Sequence, residues 1–167
     1  MKKSSKMNTL YSMFVRSKLE YGAIIWSPHC STHIARIEKI QKRFIRYSLP
    51  YLENIYPLPS YESRCLHLGM ISLEKRRKIQ SMLFIYDSIN SNIDSIELLN
   101  KIQFYVPYRL SLRHRNLFYV GLYHRNYVLN SPIIRSLNHL NSLNNAHMLE
   151  FTASKTDFKN FVLQNMK

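Results

Sequence analysis

The chain has 167 residues, which fits one domain with or without an appendage. A hydrophobic content of 46% supplies enough apolar surface for a core and argues against wholesale disorder. The net charge of +14 makes a polyanion the expected partner, with nucleic acid first and an anionic membrane surface second. Three glycines, six prolines and long stretches of helical spacing favour a mainly α fold.

The first predicted element is a helix over residues 8–26, which Pro28 ends. At helical spacing one of its faces is apolar. The face comprises Leu10, Met13, Phe14, Tyr21, Ile24 and Ile25.

A second helix is predicted from Ser31 or Thr32 to about Tyr47, and its two faces differ sharply. The apolar stripe consists of Ile34, Ile37, Ile40, Phe44 and Ile45. The opposite face carries Lys39, Lys42, Arg43 and Arg46. Residues 49–64 contain three prolines and are expected to form an irregular connection.

A third helix is predicted over residues 72–90, with Ser72 as the N-cap and Glu74 in the first turn. Four cations follow at residues 75–78, although positive charge at a helix N-terminus opposes the helix dipole. We expect these basic first turns to protrude. The second half is apolar nearly all round and should be buried: Ile79, Met82, Leu83, Phe84, Ile85, Tyr86 and Ile89.

The remaining elements are a short helix near residues 93–102, a helix over 131–144 and a last helix over 155–164. The aromatic and basic segment 104–130 between them shows no clear periodicity. The expected architecture is a helical, thumb-like bundle over residues 1–103 followed by a less regular, basic C-terminal extension over 104–167. One continuous domain is the alternative.

No sequence element points to catalysis. The three aspartates are scattered and no two carboxylates are adjacent, so a two-metal site is not expected. The glycines stand alone, and the cysteines and histidines do not match a zinc-finger spacing. We therefore predict a protein that is not an enzyme and needs no metal or cofactor. With no signal peptide or membrane span evident, we expect an intracellular location, nuclear or cytoplasmic.

The basic clusters are the candidate binding residues, since cations can neutralise phosphates while aromatic rings stack on bases or sugars. A solvated basic face and tyrosines packed in a core are the competing interpretations. The predicted contacts are Lys39, Lys42, Arg43, Arg46, Lys75, Arg76, Arg77, Lys78, Arg109, Arg113 and Arg115.

Several motifs, taken in order, carry a resemblance to a known family. The segment LYSMFVRSKLEYGAIIWSP at residues 10–28 is followed by IEKIQKRFIRY at 37–47 and LGMISLEKRRKIQSMLFIYDSIN at 68–90. After these come FYVPYRLSLR at 104–113, YHRNYVLNSPIIRSLNHLN at 123–141 and DFKNF at 157–161. This order resembles the region after the catalytic palm of non-LTR retrotransposon reverse transcriptases, closest to jockey-like elements of arthropods.

The resemblance implies the helical thumb and C-terminal extension of an RNA-directed DNA polymerase, without its palm aspartates or its endonuclease. Such a fragment is expected to grip RNA or a template–primer duplex by its backbone and to accompany the fingers–palm part. The alternatives are a basic helical module that binds an acidic protein or a membrane surface, and a decayed element copy with no independent function. If the palm normally covers part of the chain, Leu10, Phe14 or Trp26 should be exposed.

Overall fold

The computed structural model describes residues 2–53, 59–106, 116–146 and 149–166. For residues 2–5, 49–53 and 145–146 it describes the backbone only. These residues are mainly helical and include no strand, which confirms the expected mainly α fold. The chain divides into two compact units, Met1–Arg77 and Lys78–Lys167. The boundary expected between residues 103 and 104 therefore falls inside the second unit.

The first unit is built from a broken N-terminal helix and a long one. Its elements are α1 (Lys2–Leu10), a π-helix (Tyr11–Arg16), α2 (Ser17–Glu20), α3 (Ala23–Trp26), α4 (Ser31–Glu53), α5 (Tyr61–His67) and the start of α6 (Leu73–Ile89). The single helix predicted over residues 8–26 is thus interrupted. Gly22 adopts a left-handed conformation at φ +61°, which glycine tolerates without steric cost, and the chain turns there.

The core face of α4 overlaps the predicted apolar stripe, since Ile45 is buried and Ile34, Ile37 and Phe44 are partly buried, but it also includes polar residues. The buried side chains of α4 are Glu38, Gln41, Ile45 and Ser48, whereas Ile40 of the predicted stripe is exposed. Ile45 packs with Cys65, and partly buried Phe44 flanks this pair. The ring of Phe44 stacks on Tyr11, with ring centroids 4.2 Å apart. The core face of α4 is therefore half polar.

The second unit contains the rest of α6, then α7 (Ile96–Leu99), α8 (Asn126–Leu129), α9 (Pro132–Ala146) and α10 (Lys155–Asn165). Burial of the second half of α6 is confirmed: its buried members are Ile79, Met82, Ile85 and Tyr86, and Leu83, Phe84 and Ile89 pack against the same core. The Ser154 side chain caps α10 by accepting a hydrogen bond from the backbone N–H of Asp157. Helix α7 has a single turn, shorter than predicted.

Within the segment 104–130, two extended stretches lie side by side. The backbone N–H of Tyr105 donates to the Leu117 carbonyl at 2.9 Å, and the N–H of Tyr119 donates to the Gln103 carbonyl at 2.8 Å. The Asn141 side chain on α9 holds the second stretch. Its Oδ1 accepts from the backbone N–H of Phe118 at 2.9 Å, and its Nδ2 donates to the Phe118 carbonyl at 2.9 Å.

No helix in the described ranges has both the length and the apolar character needed to cross a membrane.

Candidate nucleic-acid interface

One face of α4 presents a row of exposed cations. Lys39, Lys42, Arg43 and Arg46, all predicted contacts, are exposed to solvent. The structure adds Arg36, which is also exposed. At 100° per residue these five side chains span about a third of the helix circumference. The spacing of Arg36 from Lys39 and Arg43, three and seven residues, is a sequence signal that could have placed it in the set. We call these five residues the α4 basic face.

The acid nearest to this face in sequence does not reach the surface. Glu38 is 7% exposed, and its carboxylate accepts hydrogen bonds from the backbone N–H groups of Leu73 at 3.2 Å and Glu74 at 3.3 Å. The Tyr61 hydroxyl also donates to it. Because Glu38 is the one acid among residues 31–48, the solvent side of this part of α4 carries only positive formal charge.

A polar network surrounds Glu38 and fixes the orientation of α4. The Tyr11 hydroxyl donates to Gln41 Oε1 at 3.3 Å. Gln41 Nε2 donates to the Tyr61 hydroxyl at 3.1 Å and to the Ile71 carbonyl at 2.9 Å. Lys42 Nζ lies 5.0 Å from the centre of the Tyr61 ring. These contacts hold the buried edge of α4 and leave its basic face toward solvent.

The basic run at the start of α6 behaves differently from the expectation that it protrudes. Arg76 forms a bidentate ion pair with Glu20. Arg76 Nε donates to Glu20 Oε1, and Arg76 Nη2 donates to Glu20 Oε2 at 2.9 Å. This hydrogen bond raises the pKa of the Arg76 guanidinium above its usual value. A bidentate pair of this kind is geometrically specific and engages the guanidinium in the fold.

For Arg77 the expectation of protrusion is wrong, since its side chain is only 2% exposed. Burial lowers the pKa of the Arg77 guanidinium, and the charges of Glu38, Glu74 and Glu20 act in the opposite direction. A phosphate in solvent cannot reach a side chain that is covered in this way. Lys75 is exposed and Lys78 is partly buried. The α6 run is therefore not one continuous surface.

Hydrogen-bond acceptors stabilise the start of α6, although its first turns carry four cations. Ser72 acts as the predicted N-cap, because its Oγ accepts a hydrogen bond from the backbone N–H of Lys75 at 3.3 Å. Glu38 supplies a second acceptor, from α4, to the N–H groups of the first turn. A carboxylate at this position offsets the effect of nearby positive charge on the helix dipole.

The predicted contacts Arg109, Arg113 and Arg115 lie outside the described residues.

Large apolar side chains near the N-terminus are exposed rather than packed. Leu10 is 55% exposed, Phe14 64% and Trp26 42%, and Met13 and Ile25 are exposed as well. The apolar side chains that helical spacing groups together in residues 8–26 therefore do not form a buried face. An apolar groove of about 310 Å³ lies between the N-terminal helices and α4, lined by Met7, Tyr11, Val15, Ile40, Arg43, Phe44, Tyr47 and Ser48. We call the exposed side chains Leu10, Met13, Phe14, Ile25 and Trp26 the N-terminal apolar surface.

Among the described residues, no three His, Cys, Asp or Glu side chains are grouped so that they could hold a metal ion. Cys30 is exposed and Cys65 is buried, and both are free thiols. Hydrogen bonding with Thr32 lowers the pKa of the Cys30 thiol, whereas burial raises the pKa of the Cys65 thiol.

No protein-family model, no curated protein and no solved structure matches this chain.

Proposed function

We propose that this chain is the non-catalytic C-terminal part of an RNA-directed DNA polymerase, which binds RNA or a template–primer duplex through its phosphate backbone. The observation that carries the proposal is the α4 basic face, five exposed cations on one helix whose single nearby acid is turned inward. The ordered resemblance of the motifs to reverse transcriptases of the jockey-like kind supports the polymerase context.

The proposed mechanism is electrostatic and largely independent of sequence. From Arg36 to Arg46 the helix rises about 15 Å, over which a duplex presents a phosphate charge every ~1.7 Å of its axis. Exposed Lys and Arg side chains neutralise these charges and release condensed counterions. Arg76 and Arg77 are left out of the proposed contacts, because one is paired with Glu20 and the other is buried.

The N-terminal apolar surface fits a chain that works together with another protein part. Exposed clusters of large apolar side chains mark interaction sites in soluble proteins. By resemblance, the partner that would cover Leu10, Phe14 and Trp26 is the fingers–palm part of the polymerase.

Binding to an RNA–DNA hybrid duplex at several salt concentrations tests the proposal. Fluorescence anisotropy of a labelled hybrid should give a log–log slope of affinity against salt of about −4.5, from five contacts at about −0.9 each. A flat salt response, or no binding at low salt, would contradict the proposal.

A second candidate function is a module that docks on an anionic membrane surface or an acidic protein. The observation that favours it is the N-terminal apolar surface, since apolar side chains beside cations are typical of interfacial helices. Co-sedimentation with anionic vesicles and no affinity for the hybrid duplex would favour this alternative. Binding to the hybrid without vesicle binding would favour the polymerase.

A further inference from the structure

A cavity of about 530 Å³ lies in the second unit. Its walls include three tyrosines and three asparagines: Tyr105, Tyr119, Tyr123, Asn116, Asn138 and Asn141. The three tyrosines are about half exposed, so their rings are accessible from solvent. A volume of this size lies within the range of small-molecule sites.

The chemistry of the lining indicates an uncharged, flat ligand with hydrogen-bonding edges. The described residues that line the cavity carry no formal charge, so they offer neither a cation for a phosphate nor an acid for an amine. Tyrosine rings provide stacking faces. The Asn141 amide is engaged with the Phe118 backbone, but Asn138 is exposed and its amide offers both a donor and an acceptor, which can pair with a nucleobase edge through two hydrogen bonds.

The walls are held in place by backbone hydrogen bonds and by the Asn141 side chain. The two extended stretches are joined through Tyr105 and Tyr119, whose backbone N–H groups donate across the pair. Asn141 anchors the Phe118 backbone from α9. The Tyr123 ring folds back over Gly121, where an added Cβ would lie 3.3 Å from the phenol oxygen. Aromatic side chains can therefore meet a ligand on a fixed frame.

We propose that this cavity binds an unpaired nucleobase, stacked on tyrosine and read at its edge by asparagine. This proposal rests on the proposed function. It adds a base contact in the second unit to the phosphate contacts of the α4 basic face.

The test uses 2-aminopurine riboside, a fluorescent nucleoside that carries no phosphate and is quenched when its base stacks. Titration of the riboside with the full chain should give saturable quenching. Tyr119→Ala should weaken binding about 10-fold, in line with the effect of removing one stacking ring, whereas Tyr119→Phe should stay within about twofold. Gly121→Ala should weaken binding less, because the new methyl group, 3.3 Å from the outer atoms of the Tyr123 ring, shifts that ring by a few tenths of an ångström.

Tyr127→Ala is the matched control. Tyr127 is an exposed tyrosine of the same unit that does not line the cavity, so this variant should bind the riboside as the wild type does. Loss of riboside affinity in Tyr119→Ala and Gly121→Ala but not in Tyr127→Ala would support the assignment. Absence of saturable quenching, equal loss in the control, or equally tight binding of ribose alone would overturn it.

The two proposals fail separately in this experiment. Because the riboside carries no phosphate, Arg43→Ala with Arg46→Ala should leave riboside binding unchanged. If the hybrid duplex binds and the riboside does not, the base site is wrong and the proposed function stands. If the riboside binds and the hybrid does not, the base site is supported and the proposed function is wrong.

Discussion

The Glu38 carboxylate accepts a hydrogen bond from the backbone N–H of Leu73, 3.2 Å away, at the first residue of α6. The two residues are 35 positions apart, so the acid that caps this basic helix comes from another helix. Four cations in the first turns of α6 are each disfavoured by about 0.3–1 kcal/mol when exposed. The Glu38 cap, the pairing of Arg76 and the acids around Arg77 reduce that penalty.

Removal of the Glu38 carboxylate should destabilise the first unit. Glu38→Ala leaves the N–H groups of Leu73 and Glu74 without this acceptor and should lower the free energy of unfolding by about 2–4 kcal/mol. Glu38→Gln keeps an acceptor oxygen but loses the charge, and should cost about 1–2 kcal/mol. Urea denaturation measures both. The exposed control Glu62→Ala should stay within about 0.5 kcal/mol of wild type, and an equal loss there would contradict the capping role.

Arg76 should matter for stability and not for nucleic-acid affinity. Arg76→Ala removes both donors to Glu20 and should lower the free energy of unfolding by about 1–3 kcal/mol, less than for a fully buried pair because Arg76 is partly exposed. Arg76→Lys should restore only part of this, since lysine cannot form the bidentate pair. Hybrid-duplex anisotropy under native conditions gives the second readout. A loss of affinity for a folded Arg76→Ala, as large as that of Arg43→Ala, would place Arg76 in the interface.

The first unit should lose stability in alkali through two phenols. Burial raises the pKa of Tyr11 to about 12, and the charge of Glu38 acts in the same direction. Burial and the hydrogen bond to Glu38 raise the pKa of Tyr61 above that of Tyr11. A raised pKa means that folding favours the protonated phenol. This contribution is fully present below the pKa of an unfolded tyrosine, about 10, and is lost as the pH rises toward 12.

Urea denaturation at a series of pH values above 9, for wild type and Tyr61→Phe, measures this effect. Wild type should lose stability steeply above about pH 10. Tyr61→Phe should be less stable than wild type at neutral pH, because Glu38 and Gln41 lose a partner, but should show a shallower alkaline decline. Parallel pH profiles for the two proteins would rule out Tyr61 as a source of the decline.

The N-terminal apolar surface should reduce solubility without adding to the stability of the isolated chain. Leu10→Gln with Phe14→Gln should change the free energy of unfolding by no more than about 0.5 kcal/mol per site, since both side chains are already exposed. The same variant should scatter less light at high concentration and bind less of a hydrophobic dye. Ile45→Gln, at a fully buried position, is the contrasting control and should unfold the first unit. A similar loss of stability in Leu10→Gln with Phe14→Gln would show that these side chains are packed.

The sequence predicted what depends on local patterns. The Ser72 cap, the start of α9 at Pro132 and the burial of the second half of α6 were all correctly expected. The helix cap and the helix start depend on a few neighbouring residues, and the burial of α6 depends on a stretch that is apolar on every side. Contacts distant in sequence therefore do not change these three features.

The errors came where polar residues are buried and apolar residues are exposed. On α4 the periodicity of isoleucines predicted Ile45 in the core but not the burial of Glu38, Gln41 and Ser48. Glu38 and Gln41 bond to Tyr61 on α5, and Glu38 also to Leu73 on α6, and these partners are distant in sequence. Ile40 of the same predicted stripe is exposed. Arg77 was taken as a phosphate ligand, since a run of four cations gives no sign that one of them points inward.

The central claim, phosphate binding by the α4 basic face, is tested most directly by the salt slope of hybrid-duplex affinity in Arg43→Ala with Arg46→Ala. Removing two phosphate contacts should make the log–log slope shallower by about two. Lys101→Ala with Lys159→Ala removes two exposed charges elsewhere and should leave the slope within about 0.5 of wild type. Equal slopes for wild type and the α4 variant, or an equal change in the control, would contradict the claim.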